Sequence, residues 1–341
     1  MTENDTTESN AYEAVVVGGG AAGLSAALVL GRARRRTLVV DAGEPRNAPS
    51  AHLQGYLSRD GMSPAEFLAV GREEIARYGV ELVRDRVVDA EKDAAGFTAR
   101  LAGGRTVRAR QLVIATGLRD ELPEVPGLAG RFGRDVVHCP YCHGWEVRDL
   151  PTGVLATSPL SVHQALMVTR WTKDVRFFLH EVSESELTDD DLRRLAVAGV
   201  MVVPGKVAEL VVADDRLTGV RLADGTVHER EVLYAAPRAV PRNDLLVKLG
   251  AELRETPFGS YPVIDERGLT SVPGLWAAGN ASGFAEQVIN AASRGYRAGA
   301  AINGELLFAD LDASAPQRGA GNWATSHNGT AAGNAPHQAD E

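Results

Sequence analysis

The run Ala14-Val15-Val16-Val17-Gly18-Gly19-Gly20-Ala21-Ala22-Gly23 decides the architecture of this chain. Its first four residues are small or β-branched and show no polar alternation, as in a parallel strand buried on both faces. Gly18, Gly20 and Gly23 then fall on G-x-G-x-x-G. The first permits a tight turn, the second lets a pyrophosphate approach the backbone, and the third lets the next helix pack closely on the strand. Phosphates at Gly20, Ala21 and Ala22 would meet N–H groups at the positive end of that helix. Helix formers follow, and a second strand, TLVVD, closes on Asp41. A carboxylate there can accept hydrogen bonds from ribose hydroxyls. The glycines alone carry little weight; between two strands, with a helix and an acid in register, they predict a dinucleotide site.

Working outward, 341 residues leave room for two domains, and 44% apolar with 24% charged residues is ordinary for a globular protein. The net charge of −9 argues against nucleic acid or an anionic membrane as partner. The first dozen residues are polar and acidic, with no basic segment of a secretory signal. The most apolar stretch, 14–30, is broken by four glycines, so no transmembrane helix is expected. These features read as a cytoplasmic protein. Further on, residues 60–78 look helical, with Ser63 at the N-cap and Pro64 at the first helical position. Residues 80–111 read as a small meander, and QLVIATG as another buried strand. Two more strands, near Gly153–Ala156 and in DVRFFLH, flank a helix at about 160–171. GLWAAGN gives a strand before a long helix, and the polar tail from Asp312, Trp323 included, is expected to be disordered. The fold class is α/β with two Rossmann-like, doubly wound domains.

The only two cysteines, Cys139 and Cys142, lie in His138-Cys-Pro-Tyr-Cys-His143. C-x-x-C-H fits covalent haem, zinc or a redox dithiol. Haem attachment needs an export signal, which is absent from the start of the chain. Zinc needs four converging ligands, and no second pair stands at a suitable spacing. The redox reading accounts for more: Pro140 can open a helix with Cys139 at its cap, and two intervening residues allow disulfide closure.

Three segments then carry a family resemblance. Ala115-Thr116-Gly117 and GLWAAGN with Gly279 and Asn280, followed by Gln287-Val288, resemble the further FAD signatures of disulfide reductases. With its C-x-x-C pair near the middle of the sequence, the protein resembles the low-molecular-weight thioredoxin reductases over about residues 12–308. That resemblance implies FAD, a homodimer, and an FAD-binding domain in two parts, 12–118 and 244–311. Between them, 119–243 would be an inserted NADPH-type module carrying the redox pair, with disordered ends at 1–11 and 312–341. It makes Cys142 the flavin-proximal sulfur, Cys139 the substrate-facing one, and His143, where the family has Asp, a proton shuttle. Asn280 stands where the family usually has Asp; Gln287 and Val288 are expected at the flavin's pyrimidine edge.

One family feature is missing. The turn after the strand near Gly153 holds Thr157, Ser158 and Pro159 in place of glycines, and the next strand ends in His180-Glu181-Val182-Ser183-Glu184 rather than arginines. Side chains in the turn block a pyrophosphate, and acids repel a 2′-phosphate. NADPH is therefore not expected to dock. The nearest similarity is to the FAD-dependent dithiol oxidases of holomycin and gliotoxin biosynthesis, which implies a small dithiol as substrate, O2 as acceptor and no metal. The competing readings are a thioredoxin reductase-like enzyme fed by NADPH in another pose or by ferredoxin, and a non-catalytic redox sensor.

Overall fold

The computed structural model describes residues 10–315, so most of the expected disordered ends, including Trp323, fall outside the described residues. Strand β1 (Ala11–Val17) is followed by α1 (Ala21–Arg32), β2 (Thr37–Asp41), α2 (Pro64–Ala76) and β3 (Glu81–Arg84). Then come β4 (Val87–Asp93), β5 (Gly96–Leu101) and β6 (Thr106–Ile114). They form a sheet in the order β3-β2-β1-β6-β5-β4. Ser63 caps α2 as expected, its hydroxyl accepting from Glu66 N at 3.3 Å, with Pro64 at the first helical position.

Two details differ from the sequence reading. β3 is not part of the meander; it pairs in parallel with β2, extending the nucleotide-side sheet. And β6 is one strand where two were expected, because its two halves do different work. Thr106–Ala109 pairs antiparallel with β5, while Leu112–Ile114 is sandwiched between β1 and the late strand Leu275–Ala277, both parallel.

The second lobe opens with β7 (Leu118–Glu121), β8 (Val136–Val137), α3 (Pro140–His143), β9 (Thr152–Leu155), α4 (Ser161–Val168) and β10 (Val175–Phe178). It continues through α5 (Asp189–Val197), β11 (Met201–Val203), β12 (Val207–Ala213), β13 (Arg216–Leu222), β14 (Val227–Glu229), β15 (Val232–Ala235) and β16 (Arg238–Pro241). Its parallel sheet has the order β11-β10-β9-β15-β8. Alternate residues go to opposite cores. Val154, Phe177 and Tyr234 pack with Val162, Ala165 and Leu195 of the helices, whereas Leu155, Phe178 and Leu233 pack with Leu210, Val220 and Leu222 of the β12–β14 sheet. Strands β7 and β16 pair as a ribbon where the backbone enters and leaves this lobe.

The backbone returns through α6 (Asp244–Lys248), β17 (Leu253–Thr256), β18 (Gly259–Pro262), β19 (Leu275–Ala277) and α7 (Val288–Ser314). α7 packs tightly on α1 because its facing residues are glycines: a Cβ on Gly295 would stand 1.9 Å from the Ala22 carbonyl oxygen, and one on Gly299 2.7 Å from that of Ala26. Residues up to Asn303 form one compact unit; from Gly304 a second begins, helical to Ser314. Among the described residues no helix is long and apolar enough to cross a membrane.

Candidate active site

A cavity of about 1120 Å3 runs from the glycine turn to the cysteine pair, larger than the roughly 300–1,000 Å3 of a drug-sized ligand site. Gly18, Gly20, Ala21, Ala22, Asp41, Ala115, Thr116, Gly117, Gly279, Asn280, Gln287 and Val288 all border it, as do Cys139, Cys142 and His143. Gly23 does not, and its position says why. A Cβ there would lie 1.9 Å from the Gly18 carbonyl oxygen, so Gly23 lets α1 start against the turn rather than touching a ligand. Gly18 has φ +111° and faces Ala115, whose carbonyl oxygen a Cβ would meet at 2.3 Å. Over Gly20, by contrast, nothing lies within 4 Å of where a Cβ would stand. That is an open cradle at a helix N-terminus.

Asp41 is buried at the end of β2 and already organised. It accepts from Gly19 N at 3.2 Å and Gly43 N at 3.1 Å, and pairs with Arg84 at 2.5 Å. Thr116 Oγ1 donates to the Arg242 carbonyl at 2.9 Å, tying the β6 end to the strand that leaves the second lobe. The Asn280 side-chain NH2 donates to the carbonyls of Gly283, 3.0 Å, and Phe284, 2.8 Å. An aspartate could not make those bonds, which accounts for the amide where the resembling family has an acid.

Cys139 and Cys142 form a disulfide with Cα atoms 5.2 Å apart. Cys139 caps α3 with Pro140 first, as the spacing predicts. The helix is a single turn of four residues, so its dipole adds little for a thiolate. The Gln287 side chain lies against both sulfurs, Nε2 3.5 Å from Cys139 Sγ and Oε1 3.4 Å from Cys142 Sγ. His143 Nε2 sits 3.3 Å from Ser50 Oγ, and its Nδ1 is buried without a hydrogen-bond partner. Burial holds the His143 pKa below the usual imidazole value. Burial, then the nearby Arg46 guanidinium, pushes His138 down to about 4. Tyr141, between the cysteines, is 74% exposed and stands edge-on to Trp171.

Sequence reasoning missed the irregular segment after β2. Arg46 makes a two-pronged ion pair with Asp120, both bonds 2.8 Å. Gly133, at φ +86°, is the one residue type that fits against Pro49, whose carbonyl oxygen a Cβ would meet at 2.3 Å. Together they hold Ser50 beside His143 across the two lobes.

In the second lobe, the turn after β9 is closed on itself. Ser161 Oγ accepts from Thr157 N at 3.2 Å, Ser161 N donates to the Ser158 carbonyl at 2.9 Å, and Val162 N donates to that of Pro159 at 3.2 Å. The Thr157, Ser161 and Val162 N–H groups are thus engaged within the turn. At the end of β10, the His180 side chain is buried, and its Nδ1 accepts from Val207 N at 3.2 Å; Glu181 and Glu184 are exposed.

Residues 12–295 match the pyridine nucleotide-disulphide oxidoreductase family. The chain belongs to that family. It is 32% identical to a thioredoxin reductase, sirT, of Leptosphaeria maculans, over 89% of this chain and 96% of the relative. It is 34% identical to a thioredoxin reductase, tcpT, of Claviceps purpurea, over 89% and 97%. The solved structure of HlmI, 48% identical, superposes with a TM-score of 0.84 over 89% of this chain and 95% of that one. The protein is thus an α/β disulfide oxidoreductase, and its family's cofactor is FAD. The residues present fit that group. The cradle over Gly20 would take the pyrophosphate and Asp41 the ribose, and the cavity continues to the disulfide.

Proposed function

We propose that the protein is a dithiol oxidase that closes an intramolecular disulfide in a small dithiol. The observation that carries this reading is the turn at Thr157–Ser161, which lacks glycine and bonds its Thr157, Ser161 and Val162 N–H groups within itself, and so favours an electron source other than a docked NADPH. The balance is R(SH)2 + O2 → RS2 + H2O2. A substrate thiolate attacks Cys139 Sγ, the Cys139–Cys142 bond breaks, and Cys142 leaves as thiolate. The second substrate thiol gives its proton to His143 and attacks the mixed disulfide, releasing the product and Cys139. FAD, when bound, takes the electron pair from the reduced cysteines and passes it to oxygen.

Residues 119–243 are proposed as the inserted module and 12–118 with 244–311 as the FAD-binding parts. A cytoplasmic homodimer in natural-product biosynthesis completes the reading. The name thioredoxin reductase borne by both fungal relatives favours a second one, a reductase fed by NADPH or ferredoxin.

One anaerobic experiment decides between them. A small dithiol is expected to bleach the flavin absorbance, with peroxide forming once air is admitted. Rapid bleaching by micromolar NADPH would overturn the oxidase reading. His143 adds a pH prediction. A ring whose pKa is lowered stays neutral, and able to accept a proton, below the usual ~6.5. The acid limb of dithiol turnover is therefore expected below that value. His143→Gln should remove the limb and slow turnover by roughly 10²-fold; an unchanged limb would assign it to another group.

A further inference from the structure

Helix α4 follows the turn that lacks glycine, and it is two-sided. Val162, Ala165 and Val168 pack into the lobe core with Val154, Phe177 and Leu195. His163 and Met167, one turn apart on the opposite face, border the cavity that holds Cys139. Leu160, just before the helix, continues that face and is exposed. Tyr141 borders the same cavity, and its edge-on contact with Trp171 brings the ring centroids to 5.9 Å. Trp171 is seated on Gly144, where a Cβ would lie 2.6 Å from the indole. Next to the redox pair there is thus a tyrosine ring and a thioether that the core does not cover. None of these side chains is a carboxylate, an ammonium or a guanidinium. Arg46, which acts on His138, and Glu286, which precedes Gln287, also border the cavity. Each is held in an ion pair, with Asp120 at 2.8 Å and with Arg294 at 2.6 Å.

We propose that the outer face of α4 and the Tyr141 ring form the wall that receives the carbon skeleton of the substrate. The wall selects an uncharged dithiol built on an apolar ring over an acidic or a basic one. This deepens the function proposed above and rests on its reading of Cys139 as the substrate-facing sulfur. A ring lying against Tyr141 and Met167 takes apolar surface of both partners out of water, and adds ring–ring and sulfur–ring contacts. A carboxylate or ammonium in the same place gives up hydration and meets no counter-charge in this wall. The flexible thioether also lets one wall take rings of different outline, so selection is by charge and apolarity rather than by a single shape. Tyr141 and Met167 are specificity-determining residues with no part in the electron transfer.

The encounter at Cys139 can be isolated from the rest of turnover. FAD-loaded Cys142→Ser keeps Cys139 as its single cysteine. It is offered the thiopyridyl disulfides of benzyl mercaptan, cysteamine and mercaptopropionate, and thiopyridone release is timed. In each case the Cys139 thiolate attacks the reagent's S–S bond, a Cys139–S–S–R bond forms, and thiopyridone leaves with the electron pair. Each rate is divided by that of the same reagent with N-acetylcysteinamide, which removes intrinsic reactivity. The benzyl reagent is expected to exceed both charged ones by roughly ten-fold or more. Tyr141→Ala on the same background should cut that advantage several-fold. Met167→Lys should abolish it and favour mercaptopropionate over cysteamine by roughly five-fold. Equal normalised rates for the three reagents, or ratios that neither substitution moves, would overturn the proposal. Failure of all three to react would overturn it together with the assignment of Cys139. Trapping uses neither oxygen nor nucleotide, so bleaching by NADPH would sink the oxidase reading and leave this selectivity standing.

Discussion

Cys142→Ser is expected to lower dithiol turnover by a factor on the order of 10³ or more while FAD stays bound. The cofactor cradle, built at Gly18–Ala22, Asp41 and Ala115–Gly117, does not depend on that sulfur. The chemistry does. With serine at 142 there is no disulfide for a substrate thiolate to open, and an alkoxide is a far poorer leaving group than a thiolate. Cys139 remains as a lone thiol. Offered a monothiol analogue as its thiopyridyl disulfide, it should expel thiopyridone and form a mixed disulfide that no second thiol can resolve, seen as a mass increase of one analogue on the Cys139 peptide. Cys139→Ser should be equally inactive and should trap less substrate, since Cys142 is assigned to the flavin side. The reverse trapping pattern would exchange the two roles. Undiminished turnover in Cys142→Ser would remove the pair from the reaction altogether.

The parts of this site legible in the sequence are those where a short stretch carries its own geometry. Gly18–Gly23 announces a strand, turn and helix because Gly18 and Gly23 answer local steric demands, a Cβ on either standing 2.3 or 1.9 Å from a backbone oxygen. Cys139-Pro140-Tyr141-Cys142 announces a capped turn for the same reason. The absence of glycine from the turn at Thr157–Pro159 was also legible, though not the hydrogen bonds it makes with Ser161 and Val162.

What was not legible joins distant residues. Arg46 meets Asp120 across 74 positions, and Ser50 meets His143 across 93, from a segment with no periodicity to mark it. Nothing local to α7 foretells that the Gln287 side chain reaches sulfurs 145 and 148 positions earlier. The length of β6 was misread for a related cause. A strand that changes partners halfway shows two hydrophobic patterns, alternating where it faces the meander and continuous where both neighbours are parallel.

Gly20→Ala and Gly23→Ala are expected to lose FAD by different physical routes, and the flavin-free proteins tell them apart. At Gly23 the added methyl would stand 1.9 Å from the Gly18 carbonyl oxygen, so α1 must move off the turn. That movement also disturbs Ala22, which lies against Gly279 and Gly295. A steric shift of this kind costs about 3 kcal/mol or more, and should lower the Tm of the flavin-free protein by roughly 5–10 °C. At Gly20 the backbone has φ −80° and ψ −173°, extended geometry that alanine adopts freely. No atom lies within 4 Å of the new methyl. The flavin-free Gly20→Ala protein should therefore keep its Tm to within about 2 °C, and the smaller entropy of its unfolded state favours a slight rise. Its FAD affinity should still fall by roughly 10²-fold, because the methyl fills the space a pyrophosphate must enter. Comparison in the absence of flavin is essential, since bound FAD would add its own binding energy to the Tm of whichever variant retained it. If Gly20→Ala bound FAD as tightly as the wild type, the open space over that residue would not be the phosphate cradle. The dinucleotide would then have to lie elsewhere in the cavity.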